Sequence, residues 1–345
     1  MTGHPSPMLV VIVNYRTGKL VIDCLQSLSD EVAAGEDLHV TVVDNASPDG
    51  SGEEIARAIV ARGWSGWASV RRAPVNGGFA YGNNLALREW LDATAGRPGQ
   101  LAWLLNPDTV VHPGACVAIR AFFAQHPDAG VIGTAIDDDR GARWPYAFRF
   151  PSIWAEIESA IRLGWLSRRL THRAVLHRMD EQPRRVDWVS GASAIVRREV
   201  FDGAGLLDEG YFLYFEETDF FRAVARLGWP CWYVPQARVV HIAGQSTGVT
   251  ASDAAGRRVP AYWFASRRRY YVKNHGRIFA IVADAIAILG LCQWRLRCAV
   301  RGKAHGGAPH FLRDLIRQSA LFHRDITAND RLHAAPPGPA RVRPA

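Results

Sequence analysis

The stretch LLNPDTVV, residues 104–111, closes an apolar run over residues 101–105, breaks at Asn106-Pro107, presents Asp108, and turns apolar again. A short apolar run bounded by turn residues reads as a buried strand. The carboxylate at its end is therefore either a turn residue or a ligand. Upstream, residues 8–13 and 38–43 are similar apolar runs, and residues 68–71 form a weaker one. Between them Leu20, Cys24, Leu25 and Leu28 recur at helical spacing, and residues 85–91 are helical. Strand alternating with helix predicts an α/β fold with a mostly parallel central sheet flanked by helices.

Polar residues gather where these strands stop: Asn14, Tyr15 and Arg16 after the first, Asp44 and Asn45 after the second, Asp108 after the fourth. The carboxyl ends of strands rim the ligand crevice in open α/β sheets, so three distant segments converge on one site. Asp44 either accepts polar hydrogens of a bound base or ribose, or caps the turn that Asp49-Gly50 completes. NGGFAYGNN (residues 76–84) reads as a glycine-rich loop and matches neither dinucleotide nor phosphate-loop patterns, which counts against a Rossmann dehydrogenase and a P-loop ATPase.

The bulk numbers bound the class. A chain of 345 residues that is 48% hydrophobic can bury one large or two modest cores. Its five cysteines lack C-x-x-C spacing, which argues against structural zinc and fits a reducing compartment. No basic segment precedes the first apolar run, so no export is expected. The net charge of +8 is uneven: from residue 261 onward 15 Lys and Arg face 4 Asp and Glu, leaving 26 against 29 before it. Such a basic end can meet phosphates of a membrane surface or of nucleic acid.

In the second half, residues 137–187 mix aromatics with arginines and show no strong strand, which predicts a mobile or partner-facing insertion. VDWVSGASAIVRREVF (residues 186–201) restores strand, turn and helix. FEETDFFRA follows, placing Glu216, Glu217 and Asp219 at a helix start. Acids there complement the helix dipole; alternatively, one is a general base whose proton affinity is raised by apolar walls and like charges. A last apolar strand ends in VVHIAGQST. Its His241 is either a structural histidine or a partner of Asp108 in a site for Mn²⁺ or Mg²⁺.

Taken in order, VVIVNYRTG, VVDNASPDGS, NGGFAYGNN, LLNPDTVVHPG, VDWVSGASAIVRREVF, GLLDEGYFLYFEETDFFRAVARLGW and VVHIAGQST resemble the motif set of the family 2 glycosyltransferases with the GT-A fold, and among them bacterial dTDP-rhamnosyltransferase-like enzymes. The resemblance implies an inverting, metal-dependent hexosyltransferase of cell-surface glycan synthesis. The donor would be dTDP-rhamnose or, as the alternative, a UDP-hexose; the acceptor would be a glycan or a polyprenyl-diphosphate-linked sugar. It also implies roles. Asn14, Tyr15, Arg16, Asp44 and Asn45 would hold the nucleoside, and Asn76, Gly77, Gly78 and Asn83 the ribose and diphosphate. Asp108 would be the metal-binding acid of the D-x-D position, with His241 beside it. Trp188, Ser190, Gly191, Ala192 and Glu216 would face sugar and acceptor. Relatives commonly carry E-D-x-D where this chain has Glu216-Glu217-Thr218-Asp219, so the base is assigned to Glu217, with Asp219 as runner-up.

These readings divide the chain into a catalytic domain over residues 1–250 (donor half 1–136, insertion 137–187, acceptor half 188–250), a helical extension over 251–332, and a disordered tail over 333–345. In the extension, residues 278–292 form an apolar stretch interrupted by Asp284 and too short for a comfortable span. With flanking arginines and a second amphipathic pattern at Phe311, Leu312, Leu315 and Ile316, it predicts peripheral attachment to the inner face of a plasma membrane, against a core helix of a C-terminal subdomain as the other reading. Two further classes are weighed: a nucleic-acid-binding protein, which leaves the strand-end acids unexplained, and a nucleotidyltransferase, which lacks a basic phosphate grip near the first strand beyond Arg16.

Overall fold

In the computed structural model, residues 7–144, 147–161, 175–176, 181–241, 257–304 and 306–323 are described. Strands β1 (Met8–Asn14), β2 (Leu38–Asp44), β3 (Ala68–Arg72), β4 (Leu101–Leu105), β5 (Thr109–Val111), β6 (Val131–Asp137), β8 (Arg184–Val186), β10 (Ser193–Arg197) and β11 (Cys231–His241) form one sheet in the order β3-β2-β1-β4-β10-β6-β11-β5, with β8 on β11. Among the described residues six of these nine strands run one way; β5, β8 and β10 oppose them. β7 (Ala147–Phe148) and β9 (Trp188–Val189) form a separate ribbon.

Alternation along the strands explains the layering. Met8, Val10, Ile12 and Trp103 face one side, against α1 (Gly18–Ala33), α2 (Ser51–Ala61) and α4 (Ala115–Gln125). Leu9, Val11, Ala102 and Leu104 face the other, against α3 (Gly78–Ala93), α6 (Arg198–Ala204) and α7 (Glu216–Arg226). Strands covered on both faces read as unbroken apolar runs, which is why β1, β2 and β4 are legible in the sequence.

Three expectations are corrected. The glycine-rich segment is mostly helix: α3 begins at Gly78, and its polar residues ride the first turns. The insertion holds β7, α5 (Ile153–Ile161) and β8, the last extending the main sheet through β11. The apolar stretch of the extension is a 24-residue helix, α9 (Arg277–Val300), by length and composition able to cross a membrane. Asp284 does not interrupt it. It is buried on the inner face, paired with Arg267 of α8 (Ala261–His275) and accepting from the Ala320 N–H at 2.7 Å. The amphipathic pattern at residues 311–316 is α10 (Phe311–Gln318), but its apolar side is covered: Leu315 is buried and Phe311 packs on Trp263 and Phe264, ring centroids 5.8 and 5.4 Å away. The sequence GQST after His241, the expected 250/251 boundary and the proline-rich end lie outside the described residues.

Candidate active site

The sheet register builds the donor side. β1 and β2 are parallel and in step, so Asn14 lies opposite Asp44 at their carboxyl ends. Asn14 is fully buried and fully used: its Nδ2 shares its two hydrogens among Asp44 Oδ1 (2.8 Å), Ser51 Oγ (3.0 Å) and Ser47 Oγ (3.2 Å), and its Oδ1 accepts from the Thr17 amide and hydroxyl. It therefore orients Asp44 and the loop after it. Asn45 donates to Asn76 Oδ1 (3.1 Å) and to the Gly78 carbonyl (3.0 Å), tying the tip of β2 to the start of α3. Its Oδ1 is buried without a hydrogen-bond partner among the described residues, an acceptor awaiting a donor.

A cleft of about 320 Å³ opens here, lined in part by Tyr15, Asn45, Asn76, Gly78, Phe79 and Asn106. Its far wall is Phe212, Leu213 and Tyr262. Gly78 makes that wall possible. Its φ is +89°, and a Cβ would stand 1.9 Å from the Phe212 carbonyl oxygen, which accepts the Phe79 N–H at 3.0 Å. Of the other expected donor residues, Arg16 is exposed at the rim, with a φ of 60° and its amide donating to Ser47. Gly77 lies under the Tyr81 ring, and Asn83 turns inward, donating to the Phe79 carbonyl at 2.9 Å.

Asp108 stands between β4 and β5, and β5 pairs antiparallel with β11 so that Thr109 faces His241. That register brings His241 Nε2 to 3.1 Å from Asp108 Oδ1 and 3.3 Å from Asn106 Nδ2. All three side chains can offer lone pairs, since the amide can present its oxygen after rotation. A carboxylate, an imidazole and an amide oxygen at the edge of a diphosphate-sized cleft fit a hard or borderline divalent ion such as Mg²⁺ or Mn²⁺.

The acidic segment lies across the same wall. Tyr214 and Phe215 hold φ values of 70° and 69°, a left-handed turn that aims the first turn of α7, and non-glycine residues sit there only when their surroundings enforce it. Glu217 lines a second cavity, about 470 Å³, with Trp188, Tyr214, Phe215, Trp263 and Tyr271 around it. Its Oε2 has no hydrogen-bond partner among the described residues, and burial pushes its carboxyl up to about 7. Glu216 is buried and is driven well above the usual range, first by burial and then by the charge of Glu217. Asp219 is engaged on both oxygens, by Lys273 Nζ at 2.5 Å and Asn274 Nδ2 at 2.6 Å, which fastens α7 to α8.

The two cavities are neighbours, walled by residues adjacent in sequence. Phe212 and Leu213 wall the first and Tyr214 and Phe215 the second, as do Tyr262 and Trp263 of α8. At Gly191 a Cβ would contact both Phe79 (3.3 Å) and Glu217 (3.6 Å). The turn before β10 is held there because Asn106 donates its amide to Ala192, and Ala192 its amide to Ser190 Oγ. Trp188 stacks on Phe148 at 4.1 Å between ring centroids. Sequence reasoning missed Phe79, Phe212, Tyr262, Trp263 and Tyr271. The run YFLYF was visible only as an aromatic approach to the acids, and YWFASRRRYY as part of a basic tail.

The model of the family described as glycosyltransferase like family 2 matches residues 5–259. The chain belongs to that family. It is 32% identical over 267 residues, 75% of this chain and 84% of the relative, to an N-acetylglucosaminyl-diphospho-decaprenol L-rhamnosyltransferase of Mycobacterium tuberculosis, strains CDC 1551 / Oshkosh and ATCC 25618 / H37Rv. Among solved structures it resembles the mannosyltransferase PcManGT from Pyrobaculum calidifontis in complex with GDP-Man and Mn²⁺ (TM-score 0.52, 14% identity, 88% of this chain and 77% of that one). It also resembles GalNAc-T7 with UDP, GalNAc and Mn²⁺ (TM-score 0.51, 15% identity, 87% of this chain), of which it spans 55%. These structural likenesses carry the fold. The family 2 glycosyltransferase thus has the α/β fold with a mostly parallel central sheet that the sequence predicts.

Proposed function

We propose that the chain is an inverting rhamnosyltransferase that moves L-rhamnose from dTDP-rhamnose to a hydroxyl of a sugar carried on a polyprenyl diphosphate, at the cytoplasmic side of a bacterial membrane. The observation that carries it is the adjacency of a polar cleft and an aromatic cavity, with Gly191 between Phe79 of the first and Glu217 of the second, and a Glu217 carboxyl oxygen that has no hydrogen-bond partner among the described residues. The mycobacterial relative's name supports the sugar and the lipid-linked acceptor. A UDP-hexose donor is the second reading, favoured by the UDP-bound structural neighbour.

The nucleoside diphosphate occupies the cleft at Tyr15, Asn45 and Asn76, with Asn45 Oδ1 accepting a hydrogen from it. Asp108, His241 and Asn106 would hold a divalent ion beside it, which would supply neutralisation of charge on the diphosphate leaving group. Glu217 takes the proton of the acceptor hydroxyl. The freed oxygen pair forms the new bond at the anomeric carbon as the bond to the diphosphate oxygen breaks, its electrons leaving with the nucleotide. One displacement inverts the configuration. Trp188 and Trp263 give the apolar faces of sugar rings a surface to lie on, and exclusion of water strengthens each charge interaction. Asp219, fixed by Lys273 and Asn274, positions α7.

Thermal shift with a panel of dTDP- and UDP-sugars, with and without Mn²⁺, tests the donor assignment. The expected result is a metal-dependent shift, largest with dTDP-rhamnose and lost in Asp108→Ala. Absence of a shift with every nucleotide sugar would overturn the reading.

A further inference from the structure

We propose that α9 is a monotopic membrane-facing helix, seated lengthwise in the surface of an anionic bilayer while its opposite face walls the acceptor cavity. The side chains of a helix advance about 100° per residue. Ile278, Val282, Leu289, Leu296 and Val300 therefore fall on one stripe, within about 40° of a common line. They are exposed, at 81, 42, 68, 65 and 79%. A soluble helix normally turns such a stripe inward. Here the inward face is already supplied: Asp284, paired with Arg267, lies on the far side together with Ala287 and Leu291, with Gly290 on the flank, and the last three line the cavity that contains Glu217. Gly290 abuts α5 so closely that a Cβ would meet Ala160 at 2.4 Å. Leu321 and Phe322, 48 and 68% exposed, stand near the start of the stripe, where Arg277 donates to the His323 carbonyl at 3.4 Å.

Charge selects the occupant. Arg277, Arg295 and Arg297 sit about 100° to either side of the stripe. Arg301 and Lys303 follow at its end, and no Asp or Glu other than the buried Asp284 lies within residues 277–303. Arginines along both borders of an exposed apolar stripe match an acyl boundary beneath anionic headgroups. A span across the bilayer is disfavoured, because it would drag the Arg267–Asp284 pair and the cavity wall into hydrocarbon. The function of this seat rests on the reading of a lipid-linked acceptor: a chain anchored in the bilayer reaches Glu217 by passing beside one helix.

Sedimentation of the full chain with vesicles tests it. Binding to vesicles of phosphatidylcholine with phosphatidylglycerol is expected to exceed binding to phosphatidylcholine alone at least tenfold. The triple variant Ile278→Glu, Leu289→Glu, Leu296→Glu is expected to lose that binding at least tenfold, with its melting profile and dTDP-sugar thermal shift retained. No pelleting of the unaltered chain, equal binding to both vesicles, or equal binding by the variant each overturns the proposal. So does a dimer in light scattering that the variant converts to monomer without any vesicle binding, since the stripe then meets a second copy. Loss of the nucleotide-sugar shift in the unaltered chain would instead strike the donor reading.

Discussion

Glu217 and Asp219 differ by two positions and by everything around them. Glu217 faces an aromatic cavity with one oxygen lacking a hydrogen-bond partner among the described residues; Asp219 is held by a lysine and an asparagine. Glu217→Gln is expected to lower kcat by about 10²- to 10⁴-fold with the donor still bound. Because the working form is the carboxylate and burial lifts its carboxyl to about 7, activity should rise with pH through about 7. The stability sign is opposite. A carboxyl whose folded value lies above its unfolded one contributes stability that is present below about 4.5 and lost as pH climbs through about 7. The glutamine variant should therefore melt higher than the parent above pH 7, a trade of stability for activity that a pH series of melting curves reads directly. Asp219→Asn, which weakens the tie to Lys273, should lower the melting temperature and leave the pH midpoint of activity in place. A loss of kcat in Asp219→Asn as large as that in Glu217→Gln would move the base to Asp219.

At the scale of elements, the site depends on the start of α3 and the turn before α7 touching. Gly78→Ala puts a methyl into the Phe212 carbonyl at a φ that disfavours any side chain, a change expected to cost about 1–3 kcal/mol. Melting temperature and nucleotide-sugar affinity should fall together in that variant; an unchanged melt would mean that the wall yields. The same contact shows what the sequence could and could not carry. β1, β2 and β4 are unbroken apolar runs, and the polar residues behind them announced the crevice. That Gly78 begins a helix was hidden, because three glycines and three asparagines in nine residues have low helix propensity and the helix is held by packing of Ala80, Ala86, Leu87 and Trp90 on the sheet. Asp284 likewise looked like a flaw in an apolar stretch, since its partner Arg267 is 17 positions away on another helix.

Over the whole molecule, the C-terminal helices wall both cavities. α8 contributes Tyr262 to the strand-end cleft and Trp263, Arg267 and Tyr271 to the cavity of Glu217, and Arg269 and Lys273 grip Asp208 ahead of the aromatic turn. The charge asymmetry of the sequence located this region and its apolar helix, but charge alone does not say that α8 lies over the site. That follows from long-range packing of Tyr211, Tyr270, Tyr271, Ala280 and Ala283, which no local pattern encodes. The arrangement joins the strand-end cleft, the cavity of Glu217 and the exposed apolar stripe of α9 in one body. Its central claim is sugar transfer from dTDP-rhamnose to a lipid-borne sugar with Glu217 as base. The most direct measurement incubates the full chain with dTDP-rhamnose, Mg²⁺ or Mn²⁺ and a polyprenyl-diphospho-N-acetylglucosamine, and follows the product by mass and by anomeric configuration. The expected result is one added deoxyhexose of inverted configuration, absent with Glu217→Gln. Retained configuration, or full transfer by that variant, would contradict the account.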